Sequence, residues 1–180
     1  MWPAGSNSFH MAKNKPRKKT PEIAVVGEVD DWEGDVIHGL LDVPRGGACV
    51  FYIDSAGGSV YGALAAITLM RYRELTATAV VLGECSSAAL LLFAACGKRV
   101  VTPYSTFLFH RMRWQSEKRI DSAEAGLWSR HFETMERDID TLQARLFGKS
   151  EEQVRAWTEK GQYITGPELV AAGLAEMLEM

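Results

Sequence analysis

A serine attacks an acyl group only where one neighbour takes its proton and another receives the charge that grows on the substrate oxygen. The stretch Gly83-Glu84-Cys85-Ser86-Ser87-Ala88-Ala89-Leu90-Leu91-Leu92 sets two serines between an apolar strand-like run and an apolar helix-like run. Backbone N–H groups in the first turn of a helix have no partner within it, so a hydroxyl there faces donors for an anion. The same position suits a serine that only caps the helix. A second turn, Asp54-Ser55-Ala56-Gly57-Gly58-Ser59, carries adjacent glycines. Gly58 lacks a Cβ and can bring its N–H close to a substrate oxygen, and the N–H of Ala88 can do the same, which together make an oxyanion hole. A tight turn into a helix accounts for the glycines equally well. His110 ends a strand-like run and suits either proton transfer or a structural hydrogen bond.

Three such pieces act together only if the fold brings them together. Ile23 to Val26 reads as a short strand ended by Gly27, and Trp32, Val36, Ile37, Leu40 and Leu41 follow at helical spacing. After the Pro44-Arg45-Gly46-Gly47 turn, Ala48 to Ile53 is a continuous apolar run, as in a strand buried on both faces. The glycine turn and a helix-like stretch from Val60 to Arg73 come next. The order then repeats, with a strand from Thr76 to Leu82, the turn Gly83 to Ser87 and a buried helix from Ala88 to Ala95. Strand, small-residue turn and helix, twice over, predict parallel βαβ layering. Such sheets carry their functional loops at the carboxyl ends of the strands, so the Gly57-Gly58 and Ser86-Ser87 turns are expected side by side. Arg99 to Val101 and Thr106 to Phe109 read as two further strands separated by Pro103-Tyr104-Ser105.

Composition sets the wider limits. A chain of 180 residues, 47% hydrophobic and 24% charged, suffices for one sizeable core. The expected division is a disordered basic tail over residues 1–20, with 1–10 preceding Met11 as the natural start, and one domain over 21–180. Five basic residues (Lys13, Lys15, Arg17, Lys18, Lys19) precede Pro21 without an acidic one, leaving 15 basic against 23 acidic residues in the body. A short Lys/Arg run of this kind reads as a solvated terminus, and nucleic acid is not an expected partner. Cys49, Cys85 and Cys96 lie in apolar segments without metal-ligand spacing and read as reduced thiols of a cytoplasmic protein. No cofactor or metal is expected. The run Ala88 to Cys96 is far short of the ~20 residues that cross a bilayer, so no membrane contact is expected.

The order of Asp54-Ser55-Ala56-Gly57-Gly58-Ser59-Val60, Gly83-Glu84-Cys85-Ser86-Ser87-Ala88-Ala89, and Gly97-Lys98-Arg99 through Pro103-Tyr104-Ser105 to Phe109-His110-Arg111 closely resembles the Clp protease proteolytic subunit. That family's pattern is an N/D-S-P-G-G-S-V loop, a G-x-x-A-S-M/A-G/A turn and a P-N-S-x-x-M-I-H strand. The closing Tyr163 to Leu174 segment resembles its F-L-S-A-P-E-A-V-E-Y-G-L, so the likeness runs from about Ile23 to Leu178. It implies an α/β, ClpP/crotonase-like fold of repeated β-β-α units, a serine-type endopeptidase working through an acyl-enzyme, and a cytoplasmic homo-oligomer of stacked rings acting on peptides or proteins. Ser87, rather than Ser86, matches the nucleophile, His110 the general base, and the N–H groups of Gly58 and Ala88 the oxyanion hole. Trp128, Phe132, Met135, Ile139, Leu142 and Leu146 alternate steps of four and three between Asp121 and Phe147, a seam that wants a facing helix. The resemblance makes this the protruding handle helix, about 121–147, that interlocks two rings. His131 lies off the seam and reads as part of a solvated face. Capping boxes at Ser150 and Thr165 open two further helices.

The departures concern function. Gly161, in Thr158-Glu159-Lys160-Gly161-Gln162-Tyr163, stands where the family has its triad aspartate. Loss of that orienting role costs a serine protease on the order of 10⁴ in turnover, so a weakened site is expected. Glu159 is the candidate substitute carboxylate. Arg111 to Lys118 lacks the family's paired glycines, which puts edge-on peptide alignment in doubt. The basic tail replaces the hydrophobic axial loop, so docking of an AAA+ unfoldase is not supported by the N-terminus, and Ala56 replaces a proline. Two other readings remain: a catalytically inactive ring subunit, and a crotonase-like acyl-CoA enzyme using the same paired N–H groups.

Overall fold

The structure is a computed structural model that describes residues 19–116 and 119–180. The expected tail thus lies almost wholly outside the described residues, as do Glu117 and Lys118. The chain runs β1 (Glu22–Glu28), α1 (Val29–Asp42), β2 (Ala48–Gly57), α2 (Val60–Tyr72), β3 (Thr76–Cys85), α3 (Ala89–Ala95), β4 (Lys98–Val101), β5 (Thr106–Phe109), α4 (Ser122–Phe147), α5 (Glu151–Thr158), β6 (Gln162–Thr165), α6 (Gly166–Ala171) and β7 (Glu176–Met177). Strands β1, β2, β3, β4 and β7 pair in that order, all parallel. β5 joins the carboxyl end of β3 through Glu84 and Thr106, and β6 lies antiparallel on β5. The parallel layering expected from the repeated strand-turn-helix order is therefore present.

β2 and β3 are longer than their apolar runs suggest. Both continue through the small, polar residues that read as turns, to Gly57 and Cys85. Pairing beyond the apolar runs explains this: Ser55 pairs with Cys85, Glu84 pairs with Thr106 of β5, and Glu84 N–H donates to the side-chain Oδ1 of Asp54 (2.9 Å). The turn itself is reduced to Ser86-Ser87-Ala88. Helix α1 starts at Val29, one residue earlier than the acidic pair, because Glu28 and Asp31 form a reciprocal capping box. The boxes expected at Ser150 and Thr165 both form, and Asp121 caps α4 by accepting from Ala123 N–H and Glu124 N–H.

The core lies between the sheet and its helices and ends in an aromatic chain. Phe93 of α3 packs on Phe107 (ring centroids 5.5 Å apart) and Phe147 (6.2 Å). Phe109 of β5 packs on Phe147 (6.2 Å) and Trp157 (5.2 Å). Fully buried, Phe109 fixes where its neighbour His110 emerges. Only the C-terminal half of α4 is seated on this core, through Phe147, Ile139 and Leu146. Its N-terminal half projects, with Leu127 and Trp128 exposed. Helix α2 reaches that half only at its start, where Tyr61 lines a pocket with Leu127, Trp128 and Phe132. Trp114, from the segment after β5, also covers it, stacking on Phe132 (5.3 Å, 20° between planes) and packing on Trp128 (5.7 Å). His131 is exposed as expected, but its Nε2 is hydrogen-bonded to the Tyr61 hydroxyl (2.9 Å).

The three cysteines are free and buried. Burial pushes the Cys49 thiol up to about 11 and Cys96 to about 12, and raises Cys85 as well. Thiolates are therefore scarce at neutral pH, and these side chains behave as small core residues.

Gly57 is the tightest point of the fold near the serine turn. Its φ is +100°, and a Cβ there would stand 2.6 Å from Ser87 Cβ and 2.8 Å from the Ser86 carbonyl oxygen. Gly57→Ala is expected to destabilise by on the order of 1–3 kcal/mol. Gly97→Ala, whose Cβ meets nothing within 4 Å, serves as the control and should stay within about 0.5 kcal/mol. Thermal unfolding of the two variants side by side checks the difference. Truncation of the aromatic hub by Phe93→Ala should cost about 3–5 kcal/mol, read as a fall in the urea midpoint.

Candidate active site

The carboxyl ends of β2, β3 and β5 meet at one place, and hydrogen bonds through Ser86 hold them there. Its N–H donates to the Ser55 carbonyl of β2 (2.9 Å), and its Oγ accepts from Leu108 N–H of β5 (3.1 Å). Ser87 N–H donates to the Leu108 carbonyl (3.0 Å). Ser86 is fully buried and Ser87 half-buried. The two serines thus divide the work, one as brace and one facing the cleft. Neither caps the following helix: α3 begins after Ala88, with no side-chain cap bond.

Ser87 has φ +54°, a left-handed conformation that costs an L-residue roughly 1–2 kcal/mol. A sharp strand-to-helix turn of this kind lifts the side chain out of the strand's plane and exposes its hydroxyl. Gly57, at its closest approach, lets the glycine turn lie directly against Ser87 and Ala88 N–H. That turn is braced from within, because Ser55 Oγ accepts from Gly57 N–H (3.2 Å) and from the indole Trp32 Nε1–H (3.2 Å).

One cleft contains Gly58, Ser87, Ala88 and His110, the four residues singled out from the sequence. Val60, Leu90, Leu91 and Ile139 form its apolar wall. Ser87 and His110 make no direct hydrogen bond, as is common before substrate draws a nucleophile and base together. His110 Nδ1 instead lies 2.7 Å from the Arg111 carbonyl oxygen.

β6 explains the position of Gly161. Phe109 pairs with Gln162 in antiparallel register, so one further step sets Gly161 across from His110. Gly161 has φ +60°, and a Cβ there would meet nothing within 4 Å. Glu159, the suggested substitute, is exposed at the end of α5. It lines a neighbouring cavity with Arg111, Glu136 and Arg155 rather than the cleft that holds Ser87.

Two carboxylates that do line the serine cleft come from α4, Glu136 and Asp140. Glu136 grips Arg111 in a two-pronged ion pair, with Nε 3.1 Å from Oε1 and Nη2 2.7 Å from Oε2, and Oε1 also accepts from Met112 N–H (3.2 Å). The guanidinium hydrogen bond holds the Glu136 carboxyl below its ordinary range. Burial raises the Asp140 carboxyl, with Arg155 Nε 3.6 Å away opposing the shift. Sequence reading missed both because it treated α4 only as an apolar seam. The signal was present in the spacing: Phe132, Glu136 and Asp140 follow one another at steps of four and share a face. The segment 111–116 forms no strand, consistent with the missing glycines.

Comparison with known proteins agrees with this geometry. The family model described as Clp protease matches residues 22–179. The ATP-dependent Clp protease proteolytic subunit 1 of Corynebacterium glutamicum is 31% identical over 157 residues, covering 84% of this chain and 75% of the relative. Subunit 2 of Corynebacterium jeikeium is 28% identical over 181 residues, covering 96% and 86%. A variant of ClpP1 from Listeria monocytogenes superimposes with a TM-score of 0.77 at 21% identity, covering 89% of this chain and 92% of that one, which establishes the ClpP fold. With its parallel sheet, its three strand ends at one cleft and a family match over nearly its whole folded length, the chain belongs to the Clp protease family.

Proposed function

We propose that the chain is a serine-type endopeptidase in which Ser87 is the nucleophile, His110 the general base, and the N–H groups of Gly58 and Ala88 the oxyanion hole. One observation carries the reading: Ser87, strained into a left-handed turn at the end of β3, shares a cleft with His110 and with the glycine turn that abuts it. Ser87 Oγ attacks the scissile carbonyl while His110 Nε2 takes its proton, and the oxygen's charge falls on the two N–H groups. Collapse of this intermediate breaks the C–N bond, and His110 returns the proton to the leaving amine. Water then attacks the Ser87 ester, its proton passing through His110, and the acid product leaves.

The relatives' names, proteolytic subunits of ATP-dependent proteases, favour peptide or protein substrates and assembly with further subunits, and the family resemblance favours stacked rings of them. The projecting half of α4, with Leu127 and Trp128 exposed, suits the ring-to-ring contact. No helix of the described residues is long and apolar enough to cross a membrane, and a cytoplasmic setting fits the relatives. An inactive ring subunit is the second reading, favoured by Gly161 opposite His110 and by the missing strand at 111–116.

A fluorophosphonate probe separates the two. Under the peptidase reading the probe attaches to Ser87, as mapped by mass spectrometry, and Ser87→Ala abolishes labelling. His110→Ala should slow it by about 10²–10⁴. An assembled protein that leaves Ser87 unlabelled belongs to the inactive class.

A further inference from the structure

A general-base histidine needs its outer ring nitrogen occupied, so that the inner one keeps its lone pair and points at the nucleophile. Among the described residues no carboxylate is hydrogen-bonded to His110, and the position across from it is Gly161. The occupant of Nδ1 is the Arg111 carbonyl oxygen, at 2.7 Å. A carbonyl oxygen only accepts, so Nδ1 carries the proton and Nε2 is left as the base.

That carbonyl belongs to the same peptide group as Met112 N–H. In a trans peptide the C=O and N–H point in opposite directions from one rigid plane, so holding the N–H aims the oxygen. Glu136 Oε1 accepts from this N–H at 3.2 Å, and the same carboxylate clamps the Arg111 side chain at 3.1 and 2.7 Å. Residues 111–116 form no strand, and this grip and the Trp114 stack on Phe132 hold the segment against α4. A carboxylate hydrogen-bonded to the N–H end of a peptide also polarises it and makes the oxygen a stronger acceptor.

We propose that Glu136 is a positioning residue that does the work of the absent triad aspartate through the Arg111–Met112 peptide, whose carbonyl holds the His110 tautomer. Glu136 lines the cleft but makes no hydrogen bond to His110, and it acts through the peptide between them. Its charge reaches the ring as an enhanced peptide dipole, partly offset by the Arg111 guanidinium, so the imidazolium formed during attack is less stabilised than by a direct carboxylate. This rests on the reading of Ser87 and His110 as nucleophile and base.

The test is the kinetics of fluorophosphonate labelling at Ser87, resolved into probe affinity and maximal rate, on the assembled full chain. Glu136→Gln keeps the shape but loses the charge and is expected to lower the maximal rate by about tenfold with affinity unchanged. Arg111→Gln removes one half of the clamp at a side chain that is 64% exposed, where folding is not at stake, and should lower it by about threefold. Both variants within about twofold of the parent overturn the proposal. A changed affinity with an unchanged maximal rate also overturns it, as a structural effect on the cleft. So does a loss produced by Asp140→Asn in place of Glu136→Gln, which would assign the role to the other carboxylate. A parent protein whose Ser87 does not react sinks the peptidase reading itself. Reaction at Ser87 that requires His110 but ignores Glu136 and Arg111 sinks only the present inference.

Discussion

Ser86 is the residue through which the site is held together. Its backbone bonds to β2 and its hydroxyl to β5, so the carboxyl ends of three strands are fixed by one buried side chain and its amide. An unmade hydrogen bond at a fully buried serine costs about 1–3 kcal/mol, which keeps all three strands in register at this point. The strained turn at Ser87, the contact of Gly57 with it and the emergence of His110 from β5 all follow from that register. A weaker brace would let the left-handed residue relax, since nothing local favours its conformation.

Much of this was legible in the sequence, and the reasons are physical. Alternating apolar runs and small-residue turns reveal parallel layering because a strand buried on both faces has few other compositions open to it. The placement of Ser87, Ala88, Gly58 and His110 follows from the rule that neighbouring parallel strands end on the same edge of a sheet. The lengths of β2 and β3 were less readable, since Asp54 and Glu84 extend them through pairing that depends on each other and on β5. The roles of Ser86 and Ser87 could be separated only by the family pattern, as either hydroxyl suits a cap or a nucleophile on local grounds. Least visible was the contact between Glu136 and the peptide after His110. It joins residues 24 positions apart, one in an irregular segment, and half of it is main chain, which has no letter in a sequence.

The cleft carries its charges unequally. Glu136 is paired with a cation and bonded to backbone, whereas Asp140 has Arg155 at 3.6 Å and loses stability as an anion through burial. Two carboxylates a turn apart on one helix therefore have opposite electrostatic characters. Gly161 carries no side chain, so the carboxylates that line the cleft with His110 come from α4 instead of from the loop before β6.

The seating of α4 has a mechanical consequence. At 26 residues the helix is about 39 Å long, yet its buried residues begin at Asp140 and continue to Phe147. It is a lever clamped at one end. Glu136 sits one turn from the clamp, close to the fulcrum, while Leu127 and Trp128 ride on the projecting arm. Bending that displaces the arm by several ångströms moves a point near the fulcrum very little, so the carboxylate that grips the peptide after His110 is placed where the helix is stiffest.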